Sequence, residues 1–125
     1  MMIYTSTIVA KPWGREIIWA DCEHYLGKII EVDAGKRLSL QYHEKKTETM
    51  RVLSGSMRIE IQPKGFTSHQ AAVLGPGEGI HIEPMTIHRV YAITDLQIIE
   101  VSTPHKRDTM RLTDDFGRTS DGKTD

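Results

Sequence analysis

Short segments of alternating apolar and polar residues run through most of the chain, and no long stretch repeats its apolar residues at helical spacing. A period of two is typical of strands with one buried face. Turn-forming residues separate the segments, as in Ser54-Gly55-Ser56 and Gly75-Pro76-Gly77. This pattern predicts nine strands, at 17–20, 25–32, 37–42, 48–54, 57–61, 69–74, 79–82, 88–92 and 97–102. Their number and spacing indicate an all-β protein in which two sheets form a barrel.

Side chains that suit a metal ion lie in and beside three of these strands. Gln41 and His43 are two residues apart, so they point to the same face of a strand. Glu48 follows a short polar turn and opens the next strand, which returns it to the side of the Gln-x-His pair. His88 opens a later strand after a glycine-rich entry and a proline-marked turn. These ligand types suit a divalent ion, although the same residues could form a satisfied polar core.

Composition fits one compact domain of 125 residues with a net charge of -1 and a pI near 6.6. Without clustered Lys and Arg, neither nucleic acid nor an anionic membrane is expected as the main partner. Cys22 is the single cysteine, and no apolar run is long enough for a signal peptide or a membrane span, so a cytoplasmic location is expected. We predict one domain over residues 1–116 and a mobile tail over 117–125, which lacks Ile, Leu, Val and aromatic residues.

Two motifs in the chain resemble those of the cupin superfamily. The first is Gly35-x5-Gln41-x-His43-x4-Glu48-x6-Gly55, and the second spans residues 77–92 and includes His88. The chain departs from the usual motifs, with Gln41 in place of His and with Glu83, Met85 and Ala92 in place of Pro, Gly and Asn. The resemblance implies the double-stranded β-helix, or jelly-roll barrel, of the cupins.

A narrower resemblance covers nearly the whole chain. The segments that carry this resemblance lie at 11–14, 38–43, 86–89, 99–101 and 114–118. Through them the chain is similar to the cupin domain of mannose-6-phosphate isomerases of the type that also occurs fused to a mannose-1-phosphate guanylyltransferase. Gln-x-His is normal in that group, so the resemblance implies that Gln41, His43, Glu48 and His88 are the metal ligands. It implies zinc as the metal, with manganese, iron, nickel and cobalt as alternatives.

The reaction implied by this resemblance is the interconversion of mannose 6-phosphate and fructose 6-phosphate, in which a base moves a proton between C2 and C1. A guanidinium can bind phosphate with two parallel hydrogen bonds. Arg37, which alternation places on the face of Gln41, is therefore the first candidate for binding the phosphate or the enediolate, and Arg89 is the second. His81 and Glu83 join Arg37 as candidate catalytic residues.

Two other functions remain open from the sequence. A redox cupin would use Fe(II) or Mn(II) with open coordination sites to activate dioxygen, and the weaker ligand Gln41 disfavours it. A sugar-binding module would recognise its ligand in the same barrel without turnover. A homodimer is also predicted, from the habit of the resembling family and from the expected outward face of Leu38, Leu40 and Tyr42.

Overall fold

Two antiparallel β-sheets pack against each other in the computed structural model, which describes residues 1–121. Within those residues there are eleven strands and no helix, and hence no helix that is long and apolar enough to cross a bilayer. The strands are β1 Thr7–Lys11, β2 Gly14–Asp21, β3 Leu26–Val32, β4 Leu40–His43, β5 Glu48–Ser54, β6 Met57–Gln62, β7 Gln70–Leu74, β8 Gly79–Ile82, β9 Ile87–Ala92, β10 Leu96–Ser102 and β11 Thr109–Thr113. The predicted all-β barrel is confirmed.

The order of the strands is that of a jelly roll. One sheet runs β1-β2-β3-β10-β5-β8 and the other runs β11-β4-β9-β6-β7. Strands that are distant in sequence, such as β3 and β10, are therefore neighbours, because the chain crosses repeatedly between the sheets. Alternate residues of both inner faces form the core, where Val52, Met57, Ile59 and Ile98 are at most 1% exposed.

The interior is apolar toward one end of the strands and polar toward the other. The register of β5 and β10 places Val52 opposite Ile98, and Glu48 opposite Ser102. Glu48, Ser102 and the intervening Glu100 are all buried. The candidate ligands thus belong to a polar region of the interior that continues directly from the apolar core.

All nine predicted strands are present, β5 and β8 with the predicted ends and the others with shifted ends, whereas β1 and β11 were not predicted. β11 has an inverted pattern, since Thr109 and Arg111 line the interior cavity while Leu112 is 53% exposed on the outer side. In a sequence, an apolar residue facing out and a charged residue facing in do not indicate a strand packed on a core. β1 lies at a sheet edge and is mostly exposed, which explains why its alternation is weak.

A bulge before β4 overturns the face predicted for Arg37. Arg37 lies opposite Tyr91, and Gln41 lies opposite His88. These two pairs are four residues apart on the side of Arg37 and three residues apart on the partner strand. One extra residue in a ladder reverses the parity of all residues beyond it. Arg37 consequently shares the outer face with Tyr91, and Leu38 instead packs against the core.

The bulge also removes part of the argument for a dimer, because Leu38 belongs to the interior. Leu40 does face outward, where it lines a groove with Ile87 and Leu112. Dimerisation stays a prediction, which light scattering can test.

The predicted tail begins at 117, yet the described residues 118–121 are hydrogen-bonded, for example from Arg111 N to Ser120 Oγ at 2.9 Å. Residues 122–125 lie outside the part of the chain that the structure describes.

The hairpin between β5 and β6 depends on Gly55, and we expect Gly55→Ala to destabilise the fold more than Gly65→Ala. Both glycines have a φ of 87°, where a Cβ costs about 1–2 kcal/mol. A Cβ on Gly55 would also lie 2.1 Å from the Asp95 carbonyl oxygen, whereas one on Gly65 would meet nothing within 4 Å. Urea unfolding should show an extra loss of about 1–3 kcal/mol for Gly55→Ala. Equal losses in the two variants would contradict this packing.

Candidate metal centre

Three strands bring the candidate ligands to one point in the interior. His43 ends β4, Glu48 begins β5 and His88 is the second residue of β9. Glu48 Oε1 lies 3.2 Å from His88 Nε2 and 3.5 Å from His43 Nε2. One ligand atom from each residue lies within 4.8 Å of the other two, and all three residues are buried. The predicted convergence of the carboxylate with both imidazoles is confirmed.

The facing atoms of this cluster have no hydrogen-bond partner among residues 1–121. They are His43 Nε2, His88 Nε2 and Glu48 Oε1. The opposite ring nitrogens lie near carbonyl oxygens, with His88 Nδ1 2.9 Å from Thr86 O and His43 Nδ1 3.3 Å from Asp108 O. Since a carbonyl oxygen only accepts, each neutral ring carries its proton on Nδ1 and turns the Nε2 lone pair toward the cluster. Two such nitrogens and a carboxylate oxygen are a fitting donor set for a first-row divalent ion.

A buried lysine compensates the charge of the carboxylate. Lys46 Nζ lies 3.0 Å from Glu48 Oε2 and 3.4 Å from Glu100 Oε2. Burial opposes ionisation of Glu48, but the ammonium of Lys46 beside it favours the charged carboxylate and lowers its pKa. Burial raises the pKa of Glu100 to about 7, and the charge of Glu48 adds to that rise. Glu48 is therefore ionised and ready to bind a cation at neutral pH.

Gln41, the predicted fourth ligand, lies opposite His88 across the β4–β9 ladder. Its side chain lines the same cavity as the cluster, and its Oε1 accepts a hydrogen bond of 2.6 Å from the Ser39 hydroxyl. The amide oxygen has a second lone pair that could bind an ion. Its role as a ligand stays a prediction.

The cavity around the cluster has a volume of about 290 Å³ and contains several charged groups that the sequence did not single out. Lys28 and Glu16 form an ion pair of 3.2 Å within it, in addition to Lys46 and Glu100. Arg111 of the unpredicted β11 lines it as well. Alternation could have found Glu100, which is four residues from the apolar Leu96 and lies in the matching segment 99–101, but neither ligand motif includes it.

Arg37 and Arg89 lie outside this cavity. With Arg58, Glu60 and Tyr91 they line a separate outer pocket. Arg37 donates hydrogen bonds of 2.7 and 2.9 Å to the carboxylate of Asp115, and Arg89 donates one of 3.1 Å to the same group. The two arginines lie together beside Asp115, on the face opposite the ligands.

His81 and Glu83 are also on the outer surface. His81 Nε2 lies 2.8 Å from Glu83 Oε1, and the two side chains are 52% and 67% exposed. The other ring nitrogen of His81 is 2.9 Å from the Thr49 hydroxyl. Their catalytic roles, like that of Arg37, remain predictions, and the structure brings none of the three into the cavity.

A two-sheet jelly roll with a buried His-Glu-His cluster at one end defines this protein as a cupin. Residues 2–115 match the family model described as mannose-6-phosphate isomerase C-terminal. The chain belongs to that family.

Relatives in this family are longer proteins of sugar metabolism. Mannose-1-phosphate guanylyltransferase RfbM of Salmonella typhimurium is 31% identical over 97 residues, which cover 76% of this chain and 19% of RfbM. The alginate biosynthesis protein AlgA of Pseudomonas aeruginosa is 30% identical over 118 residues, which cover 90% of this chain and 23% of AlgA. The chain thus spans about a fifth of the length of these relatives.

Solved structures share the fold at low sequence identity. The capsular polysaccharide assembling protein CapF from Staphylococcus aureus superposes with a TM-score of 0.75 at 17% identity, over 88% of this chain and 35% of CapF. Oxalate decarboxylase from Bacillus subtilis gives 0.76 at 16% identity, over 86% of this chain and 30% of the enzyme. At these identities the likeness establishes the cupin fold.

Replacing a ligand should abolish stoichiometric metal binding. We expect His43→Ala and Glu48→Ala to lose the ion, because each removes one of three converging donors. His69→Ala is the control, since His69 is exposed and lines an outer groove. Elemental analysis of the purified proteins measures the outcome. Unchanged metal in both ligand variants would refute the site.

Removing the buried ammonium should destabilise the protein. Lys46→Met would leave Glu48 and Glu100 without their shared cation, at a cost of about 3–5 kcal/mol. Lys45→Met is the matched control, because Lys45 is exposed. Urea unfolding of the metal-free proteins should separate the two variants, and adding Glu100→Gln to Lys46→Met should recover part of the loss. Similar unfolding free energies for Lys46→Met and Lys45→Met would contradict the proposed compensation.

Proposed function

We propose that this domain is a metal-dependent aldose–ketose isomerase that interconverts mannose 6-phosphate and fructose 6-phosphate. The observation that carries the proposal is the convergence of three buried donor atoms without partners among residues 1–121 in a charged cavity. Membership in a family named for mannose-6-phosphate isomerase supports the choice of substrate.

The cavity suits a small, polar, anionic ligand. Its volume of about 290 Å³ lies near the lower end of the roughly 300–1,000 Å³ that is usual for small-molecule sites. Lys28, Lys46 and Arg111 supply positive charge, and Glu16 and Glu100 supply acceptors for sugar hydroxyls. This mixture of charges favours a phosphorylated sugar over an apolar ligand.

Different residues of this chain would bind the ion, compensate the charge of its carboxylate ligand and exclude water during isomerisation. His43, Glu48 and His88 would hold the ion, with Gln41 as the predicted fourth ligand, and zinc is the proposed metal. The ion would supply electrophilic polarisation of the carbonyl and stabilise the negative charge that develops on oxygen. Lys46 would keep Glu48 ionised, and the barrel walls would exclude bulk water.

Proton transfer between C2 and C1 requires an acid–base group that lines the cavity. Glu16 and Glu100 meet this condition, since each lines the cavity with a carboxylate paired to a lysine. We therefore place the proton-transfer group among these carboxylates. His81 and Glu83 would need a different conformation to reach the same space.

A redox cupin is the second candidate, because of the donor set. Two imidazoles and one carboxylate bind catalytic zinc in some enzymes and non-haem Fe(II) in oxygenases. Zinc with isomerisation and iron with oxygen consumption are therefore the two outcomes to separate. A sugar-binding module would retain the ion and turn over neither substrate.

The test combines elemental analysis with a coupled assay of mannose 6-phosphate conversion. We expect about one zinc ion per chain and saturable turnover, which a chelator abolishes and added zinc restores. His43→Ala should be inactive, and His69→Ala should match the wild-type protein.

Other outcomes of the same experiment reject the proposal. Substrate-dependent oxygen uptake by an iron-loaded protein would favour the redox cupin. A fully metal-loaded protein that turns over neither mannose 6-phosphate nor other hexose phosphates would favour the binding module.

A further inference from the structure

Arg111 stands beside the metal centre through the pairing of three strands. Arg111 of β11 lies opposite Gln41 of β4, and Gln41 lies opposite His88 of β9. Directly opposed residues of antiparallel strands share a face and have Cβ atoms about 4.5–5.5 Å apart. Arg111, Gln41 and His88 therefore form a row across the inner face of the sheet.

The guanidinium of Arg111 is held through Nη1 and has an unused donor at Nε. Its Nη1 donates hydrogen bonds of 2.7 Å to Thr119 O and 3.2 Å to Asp121 Oδ1. Its Nε is buried and has no hydrogen-bond partner among residues 1–121. A buried donor left without a partner costs about 1–3 kcal/mol, so this position favours a ligand with an acceptor oxygen.

The segment after β11 fixes the orientation of this guanidinium. Asp121 Oδ2 accepts a hydrogen bond of 3.1 Å from Thr109 N, and Asp121 N donates one of 2.8 Å to Thr109 O. Arg118, in the turn before Asp121, donates hydrogen bonds of 3.0 and 2.8 Å from Nε and Nη2 to Asp114. Arg118 lowers the pKa of Asp114 to about 2, so this ion pair is intact at neutral pH. Arg111 is consequently positioned before any ligand arrives.

Arg111 differs from two other cavity cations in its unused buried donor, although it also pairs with a carboxylate, that of Asp121 at 3.2 Å. Lys46 lies between Glu48 and Glu100, and Lys28 is paired with Glu16. An arginine side chain that keeps a free N–H can bind an oxyanion with directed hydrogen bonds. Among the charged groups that line the described cavity, Arg111 thus combines a fixed position with an unused buried donor.

We propose that Arg111 binds the phosphate group of the substrate beside the metal centre. The assignment rests on the proposed isomerase function for the identity of the substrate. Binding of a phosphorylated sugar is nevertheless measurable without turnover, so the two proposals can fail separately. The outer cluster of Arg37 and Arg89 lies in a separate pocket on the opposite face from the metal ligands, where Asp115 accepts three hydrogen bonds from the two arginines.

The test is calorimetric binding of mannose 6-phosphate, mannose and inorganic phosphate to zinc-loaded protein. We expect Arg111→Gln to weaken binding of mannose 6-phosphate and phosphate by about tenfold or more, since a charged hydrogen bond contributes about 1.5–3 kcal/mol. Arg111→Lys keeps the charge but loses the planar geometry of the guanidinium donors. Its affinity for mannose 6-phosphate and phosphate should lie between those of Arg111→Gln and the wild type. The affinity for mannose should change little.

Arg107→Gln is the matched control, because Arg107 is exposed in the same part of the chain and carries the same charge. Metal content and melting temperature show whether each variant has kept its site and fold. Equal affinities of Arg111→Gln and Arg107→Gln for mannose 6-phosphate would overturn the assignment. So would equal losses for mannose and mannose 6-phosphate, or no saturable phosphate or sugar phosphate binding by the wild type. Normal binding and the expected loss without isomerisation would reject the isomerase function alone.

Discussion

The placement of an ionised carboxylate and two imidazoles inside the barrel is the constraint on which the rest of the structure depends. Three buried atoms that could ligate a metal, on His43, Glu48 and His88, have no hydrogen-bond partner among residues 1–121. At about 1–3 kcal/mol each, they cost a large part of the roughly 5–15 kcal/mol by which a domain is usually stable. A cation bound by all three would remove that cost. Stability and metal binding are therefore expected to be coupled in this fold.

The barrel accommodates this polar group by separating two kinds of interior along the same strands. In β5 the inward residues run from Glu48 through Met50 to Val52, and in the antiparallel β10 Ile98 lies opposite Val52. The apolar part supplies the packing that holds the sheets together. Because both strands are anchored there, the polar ends are held in register, and Glu48 is fixed against the imidazoles without help from a loop.

The sequence predicted the features that follow from local alternation. Strand β5 was predicted with its observed ends, and the inward pair Gln41 and His43 followed from a period of two. Arg37 was assigned to the wrong face because a single extra residue before β4 reverses parity, and nothing in the local pattern marks that bulge. Lys46 was missed for a related reason, since a lysine in a polar turn is normally solvated and is buried here by contact with Glu100 of a distant strand. Such pairings are set by tertiary structure.

The adjacent carboxylates of Asp114 and Asp115 explain why the two arginine groups differ. Asp114 turns to Arg118 and holds the chain segment that orients Arg111, whereas Asp115 turns to the outer face and accepts hydrogen bonds from Arg37 and Arg89. β11 ends at Thr113, and the two carboxylates lie in the turn that follows, which the hydrogen bond of 3.4 Å from Gly117 N to Asp114 O closes. The outer arginines thereby direct hydrogen bonds to Asp115 on the far face, whereas Arg111 keeps an unused buried donor in the cavity that contains the metal ligands. A directed hydrogen bond to an incoming anion is consequently available in that cavity.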